Sequence, residues 1–138
     1  MKSKVVILVL ILLMLVAPAK AYEINEMKIV FTLHDILMDN LEYDYDYNEN
    51  SYTADGAIHT GKATCQGYAL AFHKLLDMTG LENNVIIGTV NGGLHSWNCV
   101  KIDGVTYYID LTWNDIGKTH YWFKNTELPE HTILMYLY

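Results

Sequence analysis

The sequence has little positive charge, and this limits the partners that the protein can bind. All nine basic residues are lysines, and three of them, at positions 2, 4 and 20, precede residue 22. From residue 22 onward, six lysines stand against 16 acidic residues, a formal charge of −10. Nucleic-acid backbones attract basic surfaces, so this charge balance argues against nucleic-acid binding.

Cysteine is also scarce, with only Cys65 and Cys99 present. Two cysteines are too few for a scaffold built on disulfides. Two fates of Cys99 stay open: a bridge with Cys65, or a buried free thiol that packs as a small hydrophobic side chain. The chain of 138 residues contains no internal repeat or low-complexity segment, which favours a single domain.

The first 21 residues have the pattern of a secretory signal peptide. Lys2 and Lys4 precede an apolar run over residues 5–16, and an A-x-A cleavage pattern follows at Ala19 and Ala21. The run is shorter than the roughly 20 apolar residues that a membrane-spanning helix needs. We therefore predict an exported, secreted or extracytoplasmic domain over residues 22–138, with no stable membrane insertion after cleavage. An uncleaved membrane anchor is the alternative.

Sites for metals and nucleotides have no convincing sequence signature. The six histidines lack paired ligand spacing. The tyrosine-rich acidic segment 43–50 lacks the glycine and final glutamate of a calcium loop. Segment 56–62 resembles a P-loop but has Ala63 where a serine or threonine is required. We expect no metal and no cofactor.

Periodicity and turn residues predict an α+β fold. Apolar residues recur at helical spacing over 27–40 and again after Thr64, a favourable N-cap, as far as the helix-ending Gly80. Segment 42–61 shows no regular pattern and is expected to form loops. Strands are predicted over 85–90, 95–102, 105–113, 121–123 and 132–138, with a two-residue turn at Asp103-Gly104.

Cys65 is a candidate nucleophile because of its position in the first turn of the second helix. The free N–H groups and the positive end of the helix dipole stabilise a thiolate there. Two residues later, Gly67 allows another segment or a substrate to approach the start of the helix. Taken alone, a cysteine on an apolar stripe is more often a core residue.

The hairpin places a second and a third candidate near each other. With Asp103 and Gly104 as the turn, Ile102 pairs with Val105, and Asp110 becomes a diagonal neighbour of His95. A hydrogen bond between this carboxylate and the imidazole would fix the tautomer of His95 and leave its other nitrogen for a nucleophile.

Three segments resemble the transglutaminase-like superfamily of cysteine enzymes, in its microbial branch. They are Cys65-Gln66-Gly67-Tyr68-Ala69, His95-Ser96-Trp97-Asn98 and Tyr108-Ile109-Asp110-Leu111-Thr112-Trp113. The resemblance extends over about residues 25–123 and implies a papain-like core. It also implies that Cys65 is the nucleophile, His95 the general base and acid, and Asp110 its orienting partner. Gln66 and Gly67 would support the site, and Trp97 would shield the histidine.

This resemblance implies acyl transfer through a thioester at Cys65, with a protein, a peptide or a cell-wall peptide as substrate. Water as the acceptor gives a peptidase or amidase, which we favour, whereas an amine acceptor gives a cross-linking transglutaminase. A non-catalytic peptide- or wall-binding module is the third possibility, because fold alone does not determine function. The Cys65 backbone N–H is expected to bind the oxyanion, with the second donor open between Gln66 and residues 52–60. The sequence leaves the oligomeric state undetermined.

Overall fold

A computed structural model describes residues 25–138 of the chain. The predicted signal peptide over residues 1–21 lies outside this part. The fold is α+β, with helices packed on one antiparallel sheet. The elements in chain order are α1 (Glu26–Asn40), β1 (Glu42–Tyr43), a 3-10 turn (Glu49–Tyr52), α2 (Ala54–Thr60), β2 (Lys62–Ala63), α3 (Cys65–Thr79), β3 (Asn83–Val90), β4 (Gly93–Ile102), β5 (Val105–Ile109), α4 (Leu111–Gly117), β6 (Phe123–Lys124) and β7 (His131–Leu137).

The main sheet has five antiparallel strands in the order β6-β5-β4-β3-β7. Its central strands bury side chains on both faces. One face packs against the helices through a core cluster that includes Phe72 and Leu76 of α3 and Val100 and Ile102 of β4. The opposite face carries a second cluster with Ile86, Val90, Trp97, Cys99 and Leu128.

Helix α3 begins and ends where its sequence signals predict. Thr64 is the N-cap, and its side chain accepts a hydrogen bond from the Gly67 N–H. Gly80 ends the helix in the left-handed conformation, with a φ of 76°. Because both ends are set by local chemistry, Cys65 is fixed as the first residue of the helix.

The β4–β5 hairpin also follows its turn residues. Asp103 and Gly104 have φ values of 48° and 81°, and Ile102 pairs with Val105. The register continues as far as Asn98 opposite Ile109. The prediction that this second strand runs to Trp113 is wrong, because β5 ends at Ile109 and residues 111–117 form α4.

Segment 42–61 contains more regular structure than predicted. Thr53 caps α2 by accepting from the Gly56 N–H, and Gly61 ends this helix with a φ of 75°. The glycines of the P-loop-like segment therefore build a short helix and its C-cap. In the tyrosine-rich segment, the buried carboxylate of Asp44 accepts backbone hydrogen bonds from Asp46 and Asn48, which organises a turn.

Gly67 is needed because the 3-10 turn passes directly over the start of α3. A β-carbon added at Gly67 would overlap the carbonyl oxygen of Ser51. The same carbonyl accepts hydrogen bonds from the backbone N–H and the hydroxyl of Thr64, at 2.9 and 3.2 Å. The segment that approaches Gly67 therefore belongs to the protein itself.

We predict that Gly67→Ala lowers the free energy of unfolding by about 1–3 kcal/mol, because the 3-10 turn must move away from the helix. Urea unfolding of the purified variant measures this loss. Gly93→Ala is the matched control, since an added β-carbon there meets only the Val90 carbonyl oxygen, at 3.6 Å. Equal stability of the two variants would contradict the close approach at Gly67.

Candidate active site

The fold brings Cys65, His95 and Asp110 together from three different elements. Cys65 is half-buried at the start of α3, His95 lies near the start of β4, and Asp110 directly follows β5. His95 Nε2 lies 2.7 Å from Asp110 Oδ2. The Cys65 thiol lies beside the His95 ring, close enough to raise the pKa of the imidazole. With Nε2 occupied by Asp110, Nδ1 is the nitrogen left for the thiol.

Asp110 reaches His95 as the N-cap of α4, which differs from the predicted strand position. Its Oδ1 accepts a hydrogen bond from the Trp113 N–H at 3.0 Å, which orients the carboxylate, while its own N–H donates to the Trp122 carbonyl at 2.9 Å. The side chain is fully buried. A buried carboxylate must have partners, and the cap and the imidazole supply them.

The residues predicted to support the site occupy defined positions. The exposed Gln66 donates from Nε2 to the Tyr52 carbonyl at 3.2 Å, which ties the start of α3 to the 3-10 turn. Trp97 is buried and stacks on His95 with ring centroids 5.9 Å apart. Trp113 covers His95 from another side at 5.7 Å. Two indole rings therefore limit the access of water to the imidazole.

Cys65 is placed for thiolate formation. Burial alone would raise the pKa of the Cys65 thiol, but the hydrogen bond and positive charge of His95 outweigh burial and hold that pKa below its ordinary value. The backbone N–H groups of Ser96 and Gln66 act in the same direction. The Gln66 N–H is one of the free groups at the helix start that the sequence predicts to stabilise the thiolate, whereas the Ser96 N–H, on β4, was not predicted.

His95 and Asp110 show complementary shifts. Burial disfavours the imidazolium, yet the hydrogen bonds to Asp110 and Cys65 and their negative charges raise the pKa of His95 to about 9. Burial alone would also raise the pKa of Asp110, but hydrogen bonds from His131 and His95 keep it below the ordinary value. The resulting ionic form has a thiolate, an imidazolium and a carboxylate.

We predict that iodoacetamide alkylates Cys65 at pH 6 within about tenfold of its rate at pH 8, because the thiolate persists below the ordinary thiol pKa of about 8.5. A second change in rate is expected near pH 9, where His95 loses its proton. Labelling followed by peptide mass spectrometry measures both rates. Cys99, whose pKa is raised by burial, is the internal control. A single inflection at the ordinary pKa of Cys65 would rule out the ion pair.

The two cysteines are both free. Cys99 is buried in the cluster with Ile86 and Trp97, and its Sγ lies 3.8 Å from Asn84 Oδ1. Cys65 instead contacts His95 at the start of α3. A Cys65–Cys99 bridge is therefore absent. Cys99 is a buried free thiol, which is the second of the two fates that the sequence left open.

Two clusters in the described residues bring metal-binding side chains close together: His34–Asp35–His120 and His95–Asp110–His131. Each cluster joins residues that are far apart in sequence, such as Asp35 with His120 and Asp110 with His131, which is why spacing did not reveal them. In the first cluster, His34 Nε2 faces the Asn114 amide nitrogen at 2.9 Å, and the amide is oriented by the Trp122 N–H on its oxygen. His34 Nε2 must therefore accept, and Nδ1 carries the proton toward Asp35. That leaves His34 without a lone pair for a metal.

His131 is the site residue that the sequence did not indicate. It begins β7 and places Nε2 3.0 Å from Asp110 Oδ2, so that one carboxylate oxygen contacts two imidazoles. Asp110 and His131 are 21 residues apart. No local sequence pattern predicts such a contact, because the contact depends on how β7 pairs with β3 in the sheet.

A cysteine at the start of a helix, facing a histidine on the sheet and an aspartate at the end of the neighbouring strand, is typical of a papain-like cysteine-enzyme fold. The sequence matches the transglutaminase-like superfamily over residues 16–112. The chain belongs to this superfamily, which supports a function of the cysteine-enzyme kind. No curated protein sequence matches the chain.

Solved structures share the fold. One is a proposed cysteine protease from Cytophaga hutchinsonii, with 18% identity and a TM-score of 0.54, covering 60% of this chain and 30% of that protein. Another is a TGase with 17% identity and a TM-score of 0.51, covering 70% of this chain and 34% of that protein. The chain thus spans about a third of the length of each. Among the helices of residues 25–138, none has the length and apolar character to cross a membrane.

Proposed function

We propose that the protein is an exported cysteine enzyme that cleaves amide bonds through a thioester, with Cys65, His95 and Asp110 as its catalytic triad. The observation that carries the proposal is the grouping of the three side chains: His95 Nε2 lies 2.7 Å from the Asp110 carboxylate, and the Cys65 thiol and the His95 ring are close enough to shift each other's pKa. Each residue is oriented by the next, as nucleophilic catalysis requires.

The reaction follows from the protonation states. The Cys65 thiolate attacks a carboxamide or peptide carbonyl carbon, and the carbonyl π electrons move onto oxygen. His95, protonated at Nδ1, then gives its proton to the departing nitrogen as the C–N bond breaks, which leaves a thioester and a neutral amine. Water deprotonated by His95 attacks the thioester, releases a carboxylic acid and regenerates the pair.

The oxyanion of the tetrahedral intermediate needs donors near Cys65. The Cys65 backbone N–H at the start of α3 is one donor in this proposal. The Gln66 amide already donates one of its hydrogens to the Tyr52 carbonyl, and its second hydrogen remains available. We propose Gln66 as the second donor because this contact holds its side chain beside the nucleophile.

Peptides and cell-wall peptides are the proposed substrates, in an extracytoplasmic compartment. The predicted signal peptide supports export, and the shared fold with a proposed cysteine protease is compatible with hydrolysis. The shared fold with a TGase supports a second candidate, amine transfer to the same thioester. The two reactions differ only in the nucleophile that attacks the thioester.

Mass spectrometry of a peptide panel distinguishes these reactions. The protein over residues 22–138 is incubated with glutamine-containing and branched wall peptides in ¹⁸O-water, with and without a primary amine. Hydrolysis introduces one ¹⁸O atom into the new carboxyl group. Transfer instead adds the mass of the amine and removes the mass of the leaving group, which is ammonia for a glutamine side chain and the released fragment for a cleaved peptide bond. If the peptides stay unchanged and Cys65 reacts as an ordinary thiol does, a non-catalytic binding module would be favoured.

A further inference from the structure

His131 has an unusually complete set of hydrogen-bond partners for a residue outside the triad. It is buried, with 8% of its surface exposed. Its Nε2 lies 3.0 Å from Asp110 Oδ2, and its Nδ1 lies 2.8 Å from the Pro129 carbonyl oxygen. Both ring nitrogens therefore face oxygen atoms.

These two partners determine where the protons are. A backbone carbonyl oxygen only accepts, so Nδ1 must carry a proton to make the contact with Pro129. Asp110 is ionised, and a carboxylate also only accepts, so Nε2 must carry a proton as well. A neutral imidazole has one N–H and cannot satisfy both contacts. The arrangement therefore requires the doubly protonated, positively charged form of His131.

The surroundings of His131 suit a cation. Its ring centroid lies 4.8, 5.0 and 5.5 Å from those of Trp97, Trp113 and Trp122, in two T-shaped arrangements and one tilted one, within the centroid distance of cation–π pairs. The titratable groups of the described residues that face it are Asp110 and His95, with the His95 ring 5.8 Å away. One negative carboxylate thus lies between two imidazoles.

A metal ion is a poorer explanation for the same geometry. Tetrahedral ligands about 2.0 Å from zinc are about 3.3 Å from one another. The contacts from Asp110 Oδ2 to His95 Nε2 and His131 Nε2 are 2.7 and 3.0 Å, which are hydrogen-bond lengths. Hydrogen bonds between the carboxylate and the two imidazoles therefore account for the cluster.

We propose that His131 is a positioning residue whose imidazolium anchors Asp110 and offsets part of its charge. The inference rests on the proposed function, because it acts through Asp110 on His95. The second hydrogen bond stops the carboxylate from turning away from His95. The positive charge lowers the cost of forming the Cys65 thiolate and weakens the hold of Asp110 on the His95 proton. His95 then gives up its proton to the leaving amine more readily.

Nitrogen-15 NMR of the wild-type protein tests the protonation state directly. In uniformly ¹⁵N-labelled protein at pH 7, long-range ¹H–¹⁵N spectra are expected to show both His131 nitrogens at protonated shifts. The result is expected to persist in Cys65→Ala, so it does not depend on catalysis. One unprotonated His131 nitrogen at pH 7 would overturn the inference, even if the protein proves to be an active enzyme.

The variant His131→Gln tests the effect on the triad, since glutamine keeps a donor and loses the charge. Both inflections of the Cys65 alkylation profile, that of the thiol and that of His95, are expected to move upward by about one pH unit. A purely structural role would loosen Asp110 and lower the His95 inflection. That outcome, or an unchanged profile, would overturn the proposal.

His120→Gln is the matched control for this experiment. His120 shares the Asp35 carboxylate with His34 in the other His–Asp–His cluster, and its Nε2 lies 2.7 Å from Asp35 Oδ1. The side chain is exposed, with none of the contacts to the triad that His131 makes. Its substitution is expected to leave both inflections in place. The NMR measurement on the wild-type chain remains decisive if His131→Gln does not fold.

Discussion

Cys65→Ala is expected to abolish product formation from any peptide that the wild-type enzyme converts, a loss of about 10⁶-fold in kcat. Alanine keeps the first residue of α3 in a favourable helical conformation but removes the atom that attacks the carbonyl. Without the sulfur no thioester forms, and the remaining binding groups accelerate the reaction only weakly. Quantitative mass spectrometry of the products measures the loss.

Cys99→Ala is the matched control, because Cys99 is the other free thiol and is buried away from His95. Its removal is expected to cost stability through lost packing while preserving the turnover of the folded fraction. Product formation by Cys65→Ala at more than about a thousandth of the wild-type rate would remove Cys65 from the mechanism. Equal losses in the two variants would point to general misfolding, which thermal unfolding curves detect.

Asp110→Asn is expected to lower kcat by about 10³–10⁴-fold while preserving most of the fold. The amide oxygen can still accept from the Trp113 N–H and cap α4. The amide nitrogen, in the place of Oδ2, then faces the Nε2 atoms of both His95 and His131, so that it loses the hydrogen bond from His131 and His95 Nε2 must become an acceptor. His95 consequently carries its proton on Nδ1 as a neutral ring and can no longer take one from the thiol.

The pH profile separates this tautomer change from simple destabilisation. In Asp110→Asn the thiol loses its imidazolium partner, so its pKa rises and alkylation at pH 6 is expected to fall by about 100-fold. Asp115→Asn is the matched control, since Asp115 is also buried on α4 but accepts from Tyr68 and Lys118. It is expected to lose stability and keep the wild-type pH profile. An unchanged profile in Asp110→Asn would exclude Asp110 from the triad.

The sequence predicts well those parts of the fold that local chemistry determines. Thr64 and Gly80 set the ends of α3, and Asp103-Gly104 sets the hairpin register. Both signals involve residues a few positions apart, so no tertiary information was needed. The position of Cys65 at the start of a helix and the pairing partners of β4 follow from them.

The prediction is wrong where two local signals compete. Alternating apolar residues after Val105 favour a continued strand, whereas Asp110 is also a good helix N-cap, and the cap prevails because the side chain bonds the Trp113 N–H. The predicted contact between His95 and Asp110 is therefore present, but Asp110 makes it as the N-cap of α4 and not as a residue of a paired strand. Helix α2 was missed because its seven residues are too few to show an amphipathic period.

His131 could not be predicted because its contact depends on how β7 pairs with β3. The pairing shifts by one residue between Ile87 and Gly88, so that His131 lies opposite Val90 while Leu137 lies opposite Val85. This shift decides which side chains of β7 point toward Trp97. The sequence of the seven strand residues does not predict this shift in pairing.

The aromatic rings around the imidazoles have an optical consequence. The chain has three tryptophans, and all of them lie within 6 Å, centroid to centroid, of His95 or His131. Their fluorescence therefore originates almost entirely from the neighbourhood of the proposed nucleophile. Emission intensity followed during acid titration or acylation reports local events there, without any attached dye.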